Sequence, residues 1–105
     1  MDETFFHKIS DPILSQLLEF AEELENSYDV EPNLESGVLS IVMPDGREYI
    51  INKHTPSRQI WVSSPYTGAG YFEFKEGKWL PKRADAAQGK DLFEFIKDEI
   101  KSHID

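Results

Sequence analysis

The chain contains no cysteine among its 105 residues. That absence excludes disulfides, thiolate metal sites and cysteine nucleophiles, and it suits a reducing compartment. The sequence also lacks an apolar run near the roughly 20 residues that a membrane-spanning helix needs. Its N-terminus is acidic, whereas a signal or transit peptide would be basic. We therefore expect a protein that is neither secreted nor inserted in a membrane.

Positive charge is nearly absent from the first third of the chain. Positions 1–35 contain ten acidic residues and one basic residue, so they carry the whole net charge of −9, while positions 36–105 are balanced. A field of this sign repels phosphate backbones, which argues against nucleic acid and favours a cation or a basic protein surface as partner. The length and the 39% hydrophobic content predict one domain over 1–105.

Apolar spacing predicts an amphipathic helix from about Phe6 to Leu24. Its apolar residues recur at steps of three and four and should face the core: Phe6, Ile9, Ile13, Leu17, Phe20 and Leu24. Pro12 removes one backbone hydrogen bond, so we expect a single helix that bends near this residue. The opposite arc is polar and mostly acidic: His7, Asp11, Ser15, Glu19 and Glu22, with Glu3, Glu23 and Glu25 at its edges.

Short alternating runs separated by glycine-containing turns predict an antiparallel sheet of about six strands after this helix. The candidate strands are Asp29–Leu34, Val38–Met43, Arg47–Asn52, Gln59–Ser64, Gly70–Lys75 and Lys78–Leu80. Pro32 should place the first strand at a sheet edge, because proline cannot donate to the ladder. We expect a loop over Lys82–Lys90.

A second helix is predicted after that loop, and its apolar face consists of Leu92, Phe93, Ile96, Ile100 and Ile104. Two helices with one apolar stripe each can cover only one face of the sheet. The predicted fold class is therefore α+β, a two-layer α/β sandwich with two helices on one face of the antiparallel sheet. The other face should meet solvent.

Alternation in the fourth strand indicates which side chains that open face presents. Ile60 and Val62 point one way, as β-branched core residues would, so Trp61 points the other way with Gln59 and Ser63. An exposed tryptophan among polar residues is typical of a binding hot spot. The alternative is that Trp61 only caps the sheet or packs under a loop.

The central run from Asn52 to Gly68 reads N-K-H-T-P-S-R-Q-I-W-V-S-S-P-Y-T-G, and it is preceded by G-V-L-S-I at Gly37–Ile41 and by an acidic first helix that opens with Phe6-His7. With these motifs the chain resembles the frataxin family, including its bacterial members, the CyaY proteins. The resemblance covers nearly the whole chain and agrees with the predicted sandwich. One departure is Tyr71, which stands about where eukaryotic relatives have a partner-binding arginine.

The resemblance implies a small iron-binding protein that docks onto the cysteine desulfurase and scaffold complex of iron–sulfur cluster assembly and modulates its rate. By position, the candidate metal-binding residues are Glu3, His7, Glu19, Glu22, Glu23, Glu25, Asp29 and Glu31, with Asp11 on the same arc of the helix. The candidate partner-binding residues are Asn52, Gln59, Trp61 and Ser63. No catalytic residue is assigned.

Elementary chemistry supports a weak cation site on the first helix. Three pairs of like charge are helical neighbours, Glu19–Glu22, Glu19–Glu23 and Glu22–Glu25, and each pair destabilises the helix by roughly 0.2–0.5 kcal/mol unless a cation lies between them. Carboxylate oxygens accept iron and other divalent cations alike, and a convex helix surface does not enclose an ion. We therefore expect weak, unselective binding of Fe²⁺ or Fe³⁺.

Two alternatives remain at the level of sequence: an acidic interaction module with incidental metal binding, and a weak ferroxidase. The regulator itself is expected to be a monomer, with a metal-driven oligomer as the alternative. The expected location is a bacterial cytoplasm, or the mitochondrial matrix for a processed form.

Overall fold

The computed structural model describes residues 1–82 and 89–104. Its elements are helix α1 (Glu3–Glu25), strands β1 (Glu31–Glu35), β2 (Val38–Val42) and β3 (Glu48–His54), a 3-10 turn (Thr55–Ser57), strands β4 (Gln59–Ser64), β5 (Gly68–Lys75) and β6 (Lys78–Pro81), and helix α2 (Leu92–Ser102). The predicted order of helix, sheet and helix is confirmed. Within the loop predicted over Lys82–Lys90, positions 83–88 lie outside the described residues.

The six strands form one antiparallel meander in the order β1 to β6. Alternation along each strand sends one set of side chains into the core beneath the helices: Leu39, Ile41, Tyr49, Ile51, Ile60, Val62, Phe72 and Trp79. Pro32 lies in the edge strand β1, as predicted. Ile60 and Val62 are buried whereas Trp61 is exposed, so the predicted orientation of β4 is confirmed.

Helix α1 begins at the N-cap Asp2, whose carboxylate accepts a hydrogen bond from the Phe5 amide at 2.8 Å, and it continues through Pro12. Its buried face is Phe6, Ser10, Leu14, Leu17 and Ala21. The predicted stripe was therefore partly wrong, because Ile9, Ile13, Phe20 and Leu24 are only partly buried. They line a groove beside α2. The small side chains at 10 and 21 let the helix approach the sheet, and hydropathy alone does not reveal them.

Helix α2 starts at the N-cap Asp91 and buries Leu92, Ile96 and Ile100, which confirms most of its predicted face. The helix ends at Ser102, so Ile104 lies beyond it and packs against the core from outside the helix. Neither helix in the described ranges is long and apolar enough to cross a membrane.

Glu99 ties helix α2 to the sheet. Its carboxylate accepts hydrogen bonds from the Tyr49 hydroxyl at 2.7 Å, from the Thr67 hydroxyl at 2.8 Å and from the Ser64 hydroxyl. Burial, and after it the bond to Glu99, raises the pKa of Tyr49 well above its ordinary value. These bonds lie on the helix side of the sheet, so they hold helix α2 against it.

Candidate functional site

The sheet face opposite the helices, called here the open sheet face, is centred on Trp61. The cross-strand neighbours of Trp61 are Asn52 on β3 and Tyr71 on β5. The two aromatic residues expose 42% and 38% of their surface. Gln59 and Ser63 lie two positions to either side of Trp61 and on the same face, because side chains alternate along a strand. The structure thus brings together all four residues predicted to bind a partner.

Hydrogen bonds and stacking fix the indole of Trp61 in one orientation. The indole Nε1–H donates to Oε1 of Gln59 at 2.8 Å. The amide of Gln59 in turn donates to Oε2 of Glu73 at 2.9 Å. The imidazole of His54 lies against the indole with the ring centroids 3.7 Å apart and the planes 10° from parallel. An aromatic side chain held in this way loses little freedom when a partner covers it.

His54, the last residue of β3, stacks on Trp61. The short 3-10 turn after β3 sets Ser57 beside both residues of the network. The Ser57 hydroxyl donates to Oε1 of Gln59 at 2.9 Å and lies 2.6 Å from Nδ1 of His54. Ser57 therefore links the imidazole of His54 to the amide of Gln59. Sequence spacing gives no signal for this contact, since it depends on the turn.

Glu73 closes the network on strand β5, directly opposite Gln59. The hydrogen bond from Gln59 lowers the pKa of the Glu73 carboxyl, and the ammonium of Lys82 lowers it further. The Lys82 nitrogen is 3.6 Å from Oε1 of Glu73. The carboxylate that orients Gln59 therefore stays ionised at neutral pH. Its position could have been found only from the strand register.

The acidic ridge is the second candidate surface. It consists of the predicted metal-binding set: Glu3, His7, Asp11, Glu19, Glu22, Glu23, Glu25, Asp29 and Glu31. All of these residues are exposed except His7, which is half-buried. Within residues 1–82 and 89–104, the only one with a cationic partner is Asp11, whose Oδ1 is 2.5 Å from Nζ of Lys53. The other carboxylates have no such neutralisation in the described part of the chain.

Distance along the helix divides the acidic ridge into two groups. At a rise of about 1.5 Å per residue, Glu3 and Glu25 are roughly 33 Å apart, and His7 is roughly 18 Å from Glu19. One ion therefore cannot have ligands from both ends. The imidazole of His7 also contacts the ring of Phe6, with centroids 5.5 Å apart. The N-terminal group and the group from Glu19 onward must act separately.

No enclosed metal centre is present among the described residues, where no cluster of three or more histidine, cysteine, aspartate or glutamate side chains is arranged to hold an ion. The oxygen donors of the ridge fit a hard cation, but they project outward and do not converge. This arrangement can concentrate cations and attract basic surfaces.

Comparison with known proteins gives one consistent result. A family model described as "Frataxin-like domain" matches residues 1–105. The chain is 35% identical over 103 residues to the iron-sulfur cluster assembly protein CyaY of Shewanella sp. strain W3-18-1, with 95% of this chain and 89% of that protein covered. It is 32% identical over 102 residues to the mitochondrial frataxin homolog of Saccharomyces cerevisiae, covering 94% of this chain and 56% of the yeast protein. The chain thus spans little more than half of the yeast protein.

Solved structures show the same fold. The trimeric frataxin from Saccharomyces cerevisiae, solved in complex with ferrous iron, superposes with a TM-score of 0.78 at 30% identity. The match covers 91% of this chain and 85% of that one. Two helices against a six-stranded antiparallel sheet are common to both. The predicted α/β sandwich is therefore confirmed.

Proposed function

This chain belongs to the frataxin family, and on that premise we propose that it binds the cysteine desulfurase and scaffold complex of iron–sulfur cluster assembly and modulates its rate. In this proposal the protein is a regulator that binds iron, and the chemistry belongs to its partners. The CyaY relatives are named iron-sulfur cluster assembly proteins, and this name supports a role of the present chain in that process. The local geometry supports separate roles for the two surfaces, with partner binding on the open sheet face and iron binding on the acidic ridge.

The observation that carries the proposal is the exposed and immobilised indole of Trp61. Because the large apolar ring is 42% exposed, a partner that covers it gains binding free energy from burial of apolar surface. Its orientation is fixed before binding by Gln59 and His54. Fixed aromatic side chains at the centre of a polar face are the usual anchors of protein interfaces. We assign the partner contact to the open sheet face for this reason.

Iron is the cargo in this proposal, and the acidic ridge supplies its first contact. The carboxylates of Glu19, Glu22 and Glu23 have no cationic partner among the described residues, so they offer hard oxygen ligands without enclosing an ion. Binding that is weak and unselective suits delivery or sensing, because the ion can leave again. The same charges draw a basic protein surface toward the molecule and raise its association rate.

The decisive experiment measures sulfide production and cluster assembly by the purified desulfurase and scaffold, with and without this protein. The wild type should change the rate in a saturable way, and Trp61→Ala should remove most of that change. Tyr28→Ala is the matched control, because Tyr28 is exposed to a similar extent, 38%, in the segment between α1 and β1. An unchanged rate with the wild type would end the proposal.

A second candidate, an acidic adaptor for which metal binding is incidental, is favoured by the lack of a convergent metal cluster in the described ranges. Titration with Fe²⁺ under anaerobic conditions separates the two functions. Selective broadening of the NMR signals of Glu19, Glu22 and Glu23 at micromolar iron supports the iron-binding regulator. Indifference to iron, combined with steep salt dependence of partner binding, supports the adaptor.

For location and assembly we propose a monomer in a bacterial cytoplasm. The Shewanella relative supports this location, whereas the yeast homolog is mitochondrial and supports the matrix as the alternative. A metal-driven oligomer is the alternative for assembly, and the trimeric yeast structure favours it. Sedimentation at increasing iron concentration distinguishes the two states.

A further inference from the structure

Charge on the open sheet face is divided between its two edges. Along β5 and β6, Lys75 and Lys78 are direct cross-strand partners. Lys82 follows β6, and its backbone amide donates to the Tyr71 carbonyl at 3.1 Å. Like charges placed directly opposite each other destabilise a sheet. Neither Lys75 nor Lys78 has an anionic partner within 4 Å in the described part of the chain.

The basic edge borders a cleft. A volume of about 500 Å³ lies between the 3-10 turn and the ends of β5 and β6, and its charged lining residues are Arg58, Glu73, Lys75 and Lys82. The guanidinium of Arg58 donates to the backbone carbonyls of Thr55 and Met1, and it has no carboxylate partner within 4 Å among the described residues. Glu73 is already engaged by Gln59 and Lys82. The cleft therefore combines an excess of positive charge with hydrogen-bond donors.

The opposite edge of the same face is acidic. Glu31 and Glu35 lie on the edge strand β1, and Glu48 begins β3. The strand register places all three on the open side, since Glu31 and Glu48 are both partners of Val42, and Glu35 is the partner of Val38. At about 4.8 Å between strands, the two edges are roughly 24 Å apart, with Trp61 between them.

We propose that the open sheet face accepts its protein partner in one orientation only, with a carboxylate-bearing segment of that partner in the β5–β6 cleft and a basic segment over β1. This inference rests on the proposed function and names the chemistry of the partner surface. The apolar centre of the face provides affinity, while the oppositely charged edges determine the orientation of the bound partner. A partner rotated by about 180° around the normal to the sheet would place like charges together at both edges, which disfavours that orientation.

Charge complementarity favours a protein over nucleic acid as the occupant. A phosphate backbone would satisfy the lysines, but it would also cross Glu31, Glu35 and Glu48 on the same face and meet the net charge of −9. A protein surface can carry both signs at the required separation. The lysines and the glutamates are then parts of one binding surface.

The test is binding of the desulfurase–scaffold complex to the full chain with Lys75→Glu and Lys78→Glu together. The matched control is Lys97→Glu with Lys101→Glu, which changes the net charge equally but lies on helix α2. We expect the edge variant to bind about tenfold or more weakly, with the control within about threefold of wild type. Circular dichroism confirms that both variants fold.

Zero-length carbodiimide cross-linking tests the orientation directly, because it joins an amine to a carboxylate in contact. Links from Lys75 or Lys78 to aspartates or glutamates of one partner segment support the proposal. Equal losses of affinity in the two variants, or links scattered over the partner, overturn it while leaving the proposed function standing. A wild type that fails to bind the complex overturns both. Tight binding of a short DNA duplex that needs Lys75 and Lys78 would assign the edge to nucleic acid and overturn the inference alone.

Discussion

The acidic ridge and the open sheet face differ in how their side chains are held. On the ridge, Glu19, Glu22 and Glu23 are exposed and have no ion-pair partner among the described residues. On the sheet, Trp61 is fixed by one hydrogen bond and one stacked ring. We therefore expect the ridge to act through summed charge and the sheet to act through shape. A single substitution on the ridge should weaken binding only slightly, whereas a single substitution of Trp61 should remove most of the partner affinity.

The largest expected effect is the loss of partner affinity in Trp61→Ala. Truncation of a central aromatic anchor weakens binding by about 2 kcal/mol or more, roughly 30-fold in the dissociation constant. The free energy of unfolding should fall by less, about 1 kcal/mol, because Trp61 loses its stacking on His54 and its bond to Gln59 but is already 42% exposed. Calorimetric titration with the desulfurase–scaffold complex and urea unfolding measure the two quantities.

Trp61→Phe sharpens this prediction. The benzyl ring keeps apolar area but cannot donate to Gln59, so its loss of affinity should lie between wild type and Trp61→Ala. A large drop in unfolding free energy without any change in affinity would show that Trp61 is a structural residue. The contrast between the two surfaces would then fail.

The next effect is the stabilisation of the folded chain by divalent cations on the acidic ridge. A ligand that binds only the folded state adds RT ln(1 + [L]/Kd), which is about 1.4 kcal/mol at a tenfold excess over Kd. The melting temperature should therefore rise with millimolar Mn²⁺ or anaerobic Fe²⁺. In the variant with Glu19, Glu22 and Glu23 all changed to Gln, most of the rise should disappear. Sodium chloride at matched ionic strength is the control, and an unchanged melting curve contradicts the prediction.

A smaller stabilisation is expected in the absence of metal, and it arises from the removal of repulsion between carboxylates. Neutralising Glu19 and Glu22 removes three helical pairs of like charge, Glu19–Glu22, Glu19–Glu23 and Glu22–Glu25, so the free energy of unfolding should increase by about 0.6–1.5 kcal/mol at low salt. Urea unfolding measures this increase, and 1 M salt should abolish it.

Asp11→Asn is the internal control, and it should change stability in the opposite direction. Its carboxylate neutralises Lys53, whose side chain is only 10% exposed. Loss of that partner leaves a nearly buried ammonium unpaired and should lower the free energy of unfolding by about 1 kcal/mol or more. Equal signs for the two variants would show that the acidic ridge does not act through mutual repulsion.

The sequence predicts those features that depend on local period and composition. Alternation in β4 is enough to expose Trp61 and bury Ile60, because successive side chains of a strand point to opposite faces. The excess of acid before position 36 is likewise visible without coordinates. The helix face was only partly predicted, since Ser10 and Ala21 are buried by the close approach of α1 to the sheet and not by their own hydropathy.

Contacts that depend on register or on an irregular turn could not be predicted. The stacking of His54 on Trp61 requires the 3-10 turn that brings β4 back beside β3. The bond from Gln59 to Glu73 requires the β4–β5 register. The partition of the open sheet face into basic and acidic edges has the same origin, because it needs the order of all six strands.

The smallest expected effect is a pH-dependent change in the orientation of Trp61. The pKa of Glu73 is lowered by the hydrogen bond from Gln59 and then by Lys82, so the bonded arrangement is complete above the ordinary carboxyl range. It is lost as the pH falls through the folded-state pKa of Glu73, which lies below the ordinary glutamate value. Protonated Glu73 holds Gln59 less well, and the indole N–H resonance of Trp61 should shift. Because the Glu73 side chain is 43% exposed, solvent screens the interaction and the effect on stability should be slight.

Proton NMR of the two indoles provides both the measurement and its control. Trp79 donates its indole N–H to the Ile9 carbonyl at 3.1 Å, away from Glu73, so its resonance should stay constant over the same pH range while the fold is intact. In Glu73→Gln the acid step at Trp61 should vanish, since the amide does not titrate. An equal step at Trp61 in that variant would assign the titration to another group. Trp61 would then be fixed independently of Glu73, and the network on the open sheet face would end at Gln59.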